Sequence, residues 1–307
     1  MTFLLEHPLS LLTLALLLSL LQPADKLQSL LTTGLSRLGR RLNKPDYAQG
    51  YLRVAGAGLL LVILLPLLAA WWALTELAPW PALLDVLLLW GCFDAGRLSR
   101  RLPLCLSQIA EQRDLARLTL APLCLRQTDA LSELGLRKTV AEVAVLRLSA
   151  DFALACWYLA GGIYAALVFA LLRLTVQAWS SKLSGWRTFG SLPSVLYRAM
   201  AWLPCHLLAL TLLLYPGSRR ALRAWPKGQL WPFPAAGRLL AMAAAGVDAG
   251  LGGPRRYIQT TEYYPKLGGG SAILSGQTRA LLLRLSLALL FWLSLAWMLT
   301  LVPLFYA

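Results

Sequence analysis

Acidic residues are scarce in this chain of 307 residues: 14 Asp and Glu stand against 29 Lys and Arg, a net charge of +15. Histidine occurs only as His7 and His206, which leaves a histidine-built metal centre short of donors. The five cysteines, at 92, 105, 124, 156 and 205, are odd in number and form no C-x-x-C pair. That excludes a disulfide framework and a zinc ribbon, and reads them as small core residues. Charged residues make up 14% in all, too few for an ordinary soluble enzyme or a disordered tail. Also missing are the phosphate loop Gly-x-x-x-x-Gly-Lys-Ser/Thr, a usable Gly-x-Gly-x-x-Gly turn and the Gly-x-Ser-x-Gly elbow. No internal repeat of roughly 20 to 50 residues is evident.

What the chain has in quantity is apolar: 58% of residues are hydrophobic, and the mean hydropathy is +0.61. Such a chain prefers lipid to water, and the basic excess then orients apolar spans instead of reading nucleic acid. No nucleic-acid motif accompanies the charge.

A hydrocarbon core needs about 20 apolar residues in helix, and four stretches offer one: 8–21, 55–77, 80–93 and 281–305. The first lacks the basic flank and small-residue cleavage site of a secretion signal, and is expected to be a short membrane helix. Lys26, Arg37, Arg40, Arg41, Lys44 and Arg53 follow the first stretch, whereas Thr75 to Pro79 carries an acid and no base. The basic loop is therefore expected inside and the acidic one outside, with 97–140 again inside and both chain ends outside. Residues 142–175 and 192–215 are also apolar, yet their connector carries Lys182, Arg187 and Arg198. Two half-depth hairpins, broken at Gly161-Gly162 and kinked at Trp202-Leu203-Pro204, resolve that conflict. Six or more ordinary spans remain the alternative.

Ionisable groups inside apolar segments are costly, and so hint at function. They are Asp85, Asp94, Glu142, Arg147, Asp151 and Arg173. Asp85 fits an interfacial position, Asp94 and Arg97 fit a pair at a helix end, and Arg147 with Asp151 fits an i,i+4 pair beside Glu142. Between Asp151 and Asp248 there is no carboxylate at all, but nine Lys and Arg. Magnesium-nucleotide chemistry needs oxygen ligands, which this stretch does not supply. Its bases suit a phosphate-bearing ligand or anionic lipid head groups. Leu251-Gly252-Gly253-Pro254-Arg255-Arg256-Tyr257 then offers a tight turn for close backbone approach, with two arginines for phosphate; a plain turn at the membrane surface is equally compatible.

The order of these features resembles the cobinamide-phosphate synthase family of cobalamin biosynthesis, the CobD/CbiB type, over roughly residues 8–290. Arg126-Gln127-Thr128 stands where that family has Arg-Asp-Thr, and Glu142 and Asp151 lie near its Glu and Asp before a double-glycine hairpin, here Gly161-Gly162. Lys182 to Gly190 is similar to its basic-aromatic loop, Leu203-Pro204 to its Leu-Pro, and Leu251 to Tyr257 to its Leu-Gly-Gly-Pro-Asn-x-Tyr signature. The chain departs at Gln127, at Arg173 and Val176, at Tyr197 and Arg198, and at Arg255, mostly by losing acids.

The resemblance implies an all-α, polytopic integral membrane protein. About four spanning helices and two re-entrant or buried helical pairs would form one domain over 1–307, with a site region at 97–280 facing the cytoplasm of a bacterial inner membrane. It implies ATP-dependent amide formation between the carboxylate of adenosylcobyric acid and aminopropanol phosphate, with magnesium and ATP as cofactors if the chain is active and none otherwise. Glu142 and Asp151 are then the catalytic candidates, for metal or proton handling, with no resident metal site expected. Arg126, Thr128, Lys182, Gly252, Gly253, Pro254, Arg255 and Tyr257 would face substrate. The expected partners are membrane lipids, a corrinoid or phosphate-bearing substrate and a possible second copy of the chain, with no nucleic acid. The same fold serves a second class, the non-catalytic AmpE-like membrane modulators or scaffolds. A transporter is the weakest option, because no symmetric pair of broken helices is present.

Overall fold

The computed structural model describes residues 7–257 and 260–306. The chain forms two compact units: one of Met1–Arg97, Ala153–Ala201 and Arg256–Thr260, the other of Leu98–Phe152, Trp202–Arg255 and Thr261–Ala307. Almost every element is helical, as the hydropathy predicts for a polytopic membrane protein. A two-stranded sheet is the exception.

In the first unit, Pro8 opens helix α1 (Pro8–Leu21), its fixed φ suiting a first turn, and His7 Nδ1 accepts the Leu9 N–H at 3.3 Å. After a bend of 96° comes α2 (Asp25–Leu42), then α3 (Gln49–Leu77) and α4 (Pro81–Cys92). Helices α1 and α4 have 14 and 12 residues, and at 1.5 Å per residue these reach only ~21 and ~18 Å, short of a ~30 Å hydrocarbon core. They pair with one another. Trp90 Nε1 donates to the Gln22 carbonyl at 2.6 Å, and Gln28 Nε2 donates to those of Gly91 and Phe93 at 3.1 Å. Helix α2 carries leucines with Arg37, Arg40 and Arg41 and has little net hydrophobicity, the pattern of a helix lying along an interface. Its middle is held by fully buried Trp179, which donates to the Leu35 carbonyl at 2.9 Å and meets the Phe189 ring edge-on.

The second unit contains most of α5 (Ala95–Glu111), α6 (Arg113–Leu120) and the first part of α7 (Glu133–Ala178). Helix α8 (Ser191–Thr211) enters it at Trp202, followed by α9 (Ser218–Ala224), a 3-10 turn Trp225–Leu230 and α10 (Pro234–Gly246). Small residues let α10 approach its neighbours closely, and it is buried along almost its whole length, with Leu239, Leu240 and Met242 at its centre. Strands β1 (Gly250–Arg256) and β2 (Thr261–Gly268) come next, before the last helix α11 (Ser275–Tyr306). Trp292 of α11 donates to Thr211 Oγ1 at 2.7 Å.

Among the described residues four helices are long and apolar enough to cross a membrane: Gln49–Leu77, Glu133–Ala178, Ser191–Leu214 and Ser275–Val302, or five spans if the bent α1–α2 pair is one. The number agrees with the sequence expectation, but the membership differs. Stretches 55–77 and 281–305 fall in full-length helices, whereas the helices of 8–21 and 80–93 end after 14 and 12 residues, bounded by Gln22-Pro23 and by Pro81 at one end and Phe93 at the other. Exposed Leu61, Val62 and Leu65 on α3 and Leu283, Leu287 and Leu290 on α11 form apolar faces suited to lipid and not to water. Helix α7 is broken where expected: Gly162 has φ +67°, a conformation that a side chain disfavours, and the backbone at Gly161 and Gly162 is not helical. Pro204, expected to kink its segment, lies inside α8. The Leu251–Tyr257 element is an addition to the all-helical expectation. Gly-Gly-Pro cannot extend a helix, and alternating burial along β1 gives it the two-residue period of a strand.

Candidate functional site

The strongest cluster of charge in the second unit centres on Glu142, which is 1% exposed on α7. Arg126 Nη2, from the loop before α7, donates to Oε2, and the Gly252 N–H donates to Oε1 at 2.8 Å. Arg255 Nη2 lies 2.9 Å from the same Oε2. Arg255 is itself buried, and its guanidinium stands over two rings, 4.5 Å from the Trp231 centroid and 4.2 Å from that of Tyr264. Those cation–π contacts matter because Nε and Nη2 make no hydrogen bond among the described residues. One carboxylate therefore ties together a loop, a helix and a strand, against two guanidinium charges.

Local backbone makes this geometry possible. Gly252 has φ +79°, and a Cβ there would sit 2.1 Å from the Pro265 carbonyl oxygen of the neighbouring strand, so only glycine can bring its N–H to Glu142. The close approach expected of this element is thus made to the protein's own carboxylate.

The two catalytic candidates do not share a centre. Glu142 and Asp151 are nine residues apart on α7, which places them ~13 Å apart along the axis and on opposite faces. Asp151 is buried, and Arg147 beside it donates from Nε to the Leu123 carbonyl at 3.0 Å. No group of three or more His, Cys, Asp or Glu among the described residues can hold a metal ion. Both oxygens of Glu142 are engaged by donors.

A family model described as CobD/Cbib protein matches residues 14–286. The chain belongs to the CobD/CbiB family. It is similar to a protein of Chromobacterium violaceum named cobalamin biosynthesis protein CobD, 29% identical over 222 residues that cover 71% of each chain. A protein of the same name from Stutzerimonas stutzeri is 29% identical over 213 residues, covering 68% of this chain and 70% of its own. No solved structure matches.

Among the residues that CobD/CbiB resemblance singled out, Arg126, Glu142, Gly252 and Arg255 come together in one cluster. Thr128 is buried in the loop that supplies Arg126, Gly253 is buried beside Gly252, and Pro254 is exposed. Tyr257 is buried in the first unit, where its N–H donates to the Thr260 carbonyl at 2.8 Å. Lys182 also belongs to the first unit and is exposed, its N–H 3.4 Å from Ser180 Oγ. Trp231 and Tyr264 hold Arg255, a role the sequence does not reveal because nothing in their spacing separates them from other apolar aromatics. Arg173, in the first unit, meets Asp94: its Nη2 donates to Oδ2 while Arg97 Nη2 donates to Oδ1, so the pairing expected of Asp94 with Arg97 has a third member.

Proposed function

We propose that this protein serves cobalamin biosynthesis at the bacterial inner membrane as a cobinamide-phosphate synthase type protein, with its site facing the cytoplasm. The observation that carries the reading is the family match over residues 14–286, supported by the two relatives named for cobalamin biosynthesis. Its reaction would join the carboxylate of adenosylcobyric acid to the amine of aminopropanol phosphate, with ATP activating the carboxylate. In this reading Glu142 is a positioning residue. It anchors the Gly-Gly-Pro strand through Gly252 and balances Arg126 and Arg255.

A second reading is a non-catalytic AmpE-like modulator or scaffold, and one observation favours it: the only acid of the cluster is neutralised by two arginines. Complementation separates the two. Expressed in a bacterium lacking its synthase, the protein restores growth on cobyric acid if it forms the amide. Absence of growth, with expression and membrane insertion verified by immunoblot of the membrane fraction, rejects the synthase reading in favour of the scaffold.

A further inference from the structure

A second basic feature of the second unit shares no residue with the Glu142 cluster. A cavity of about 280 Å³ is lined by Arg220 and Arg223 of α9, Lys227 of the following turn, Asp248, and the consecutive glycines Gly268, Gly269 and Gly270. Its size is at the lower end for small-molecule sites, right for a head group or small metabolite and too small for a whole corrinoid.

Charge in the cavity is unbalanced. Three cations face one carboxylate, and Arg220 reaches Asp248 Oδ2 only at 3.5 Å, with both side chains about half exposed. Among the described residues Arg223 and Lys227 have no acidic partner. Arg220 and Arg223 are three apart on one helix and Lys227 follows four later, so like charges are gathered on one side where they repel each other. No acid in the chain between 151 and 248 relieves them. A phosphate group offsets this excess, a monoester with charge near −2 fully and a lipid phosphodiester with charge −1 in part.

The glycine-lined part of the cavity is fixed and bare. The Gly269 N–H donates to the Ala249 carbonyl at 2.7 Å and the Gly250 N–H to that of Ser271 at 2.9 Å. Gln277 Nε2 donates to the Asp248 carbonyl at 3.0 Å, so the turn bearing the carboxylate is held as well. At Gly270 there is open space where a side chain would be, leaving the mouth clear for an incoming group.

From this arrangement we infer that the Arg220–Arg223–Lys227 cavity is a binding site for a phosphate group, carried by a small soluble phosphomonoester or by an anionic lipid head group. The inference goes beyond the synthase reading, since it needs no ligase chemistry and stands if complementation fails.

The test uses the full-length protein in phosphatidylcholine nanodiscs, titrated with inorganic phosphate and with O-phosphoethanolamine by calorimetry. A parallel arm counts phosphatidylglycerol retained on detergent-extracted protein by native mass spectrometry. Arg223→Gln/Lys227→Gln, on exposed positions, and Lys227→Gln alone are compared with the parent, with thermal melting as the check on folding. The expected result is binding of a soluble phosphate or retention of phosphatidylglycerol that weakens at least tenfold in the double variant while melting is unchanged. Binding of the soluble probes in lipid-neutral discs assigns the site to a metabolite; retention of phosphatidylglycerol alone assigns it to lipid. If neither probe binds the parent, or the double variant binds as tightly, the inference is overturned.

Discussion

The backbone N–H of Gly252 donates to Glu142 Oε1 at 2.8 Å across 110 residues of chain. This contact pins strand β1 to helix α7, and together with Arg126 and Arg255 it makes Glu142 the counter-ion of a buried cluster. Its energetic meaning follows from burial. Two guanidiniums beside an apolar core are tolerable only while an opposite charge and ring faces offset their lost hydration.

Replacing Glu142 with Gln removes the charge but preserves the shape. The variant should lose about 3 to 5 kcal/mol, the usual cost of stranding a buried partner. Part of this should return when Arg255 is changed to Met in the same chain. Chemical denaturation in detergent reads both; a Glu142→Gln protein as stable as the parent contradicts the cluster.

Gly252→Ala forces a Cβ to within 2.1 Å of the Pro265 carbonyl oxygen at φ +79°. Gly253 also has positive φ, +97°, but its Cβ would meet open space. The alanine at 252 should therefore cost more than that at 253, where backbone strain of about 1 to 3 kcal/mol acts alone. Limited proteolysis across residues 250–268 of the two variants gives the order.

Asp94 is buried between Arg97 and Arg173, and Arg173 Nη1 also donates to the Cys92 carbonyl at 3.3 Å. Asp94→Asn leaves two cations with no shared counter-ion and should destabilise by about 3 to 5 kcal/mol. Arg173→Met should cost less, because Arg97 still neutralises the acid. Equal melting points for the two variants would argue against this hierarchy.

Cys105 is fully buried and its Sγ donates to the Ala116 carbonyl at 3.5 Å; burial, aided by nearby Cys124, pushes its pKa up to about 11. The folded state thus holds this proton more tightly than the unfolded chain does. The stabilising contribution is complete below the ordinary thiol pKa and is lost as pH rises through about 11. At pH 8 the thiolate fraction is on the order of 0.1%, so maleimide should modify Cys105 only after denaturant is added, as peptide mass mapping would show.

The short helices α1 and α4 show what hydropathy counting misses. Stretches 8–21 and 80–93 are as apolar as true spans, yet their helices end after 14 and 12 residues and pair with each other. Stretch 192–215 lies in a helix long enough to cross, and 142–175 lies in a 46-residue helical run broken at Gly161-Gly162, the break expected of a hairpin. Composition reports the preferred solvent of a segment; the length of its helix depends on where prolines and partner carbonyls stop it.

The sequence by itself determined the solvent, the helical class, the excess of basic over acidic groups, the break at Gly161-Gly162 and the family motifs, because these depend on composition and local order. Only the tertiary structure decided what the charged residues do. Glu142 and Asp151 point to opposite faces of one helix, Arg173 finds Asp94 from far along the chain, and Arg255 lies over Trp231 and Tyr264. An ion pair is an event in space, and the chain brings its members together only after apolar burial has set where each helix and strand must lie.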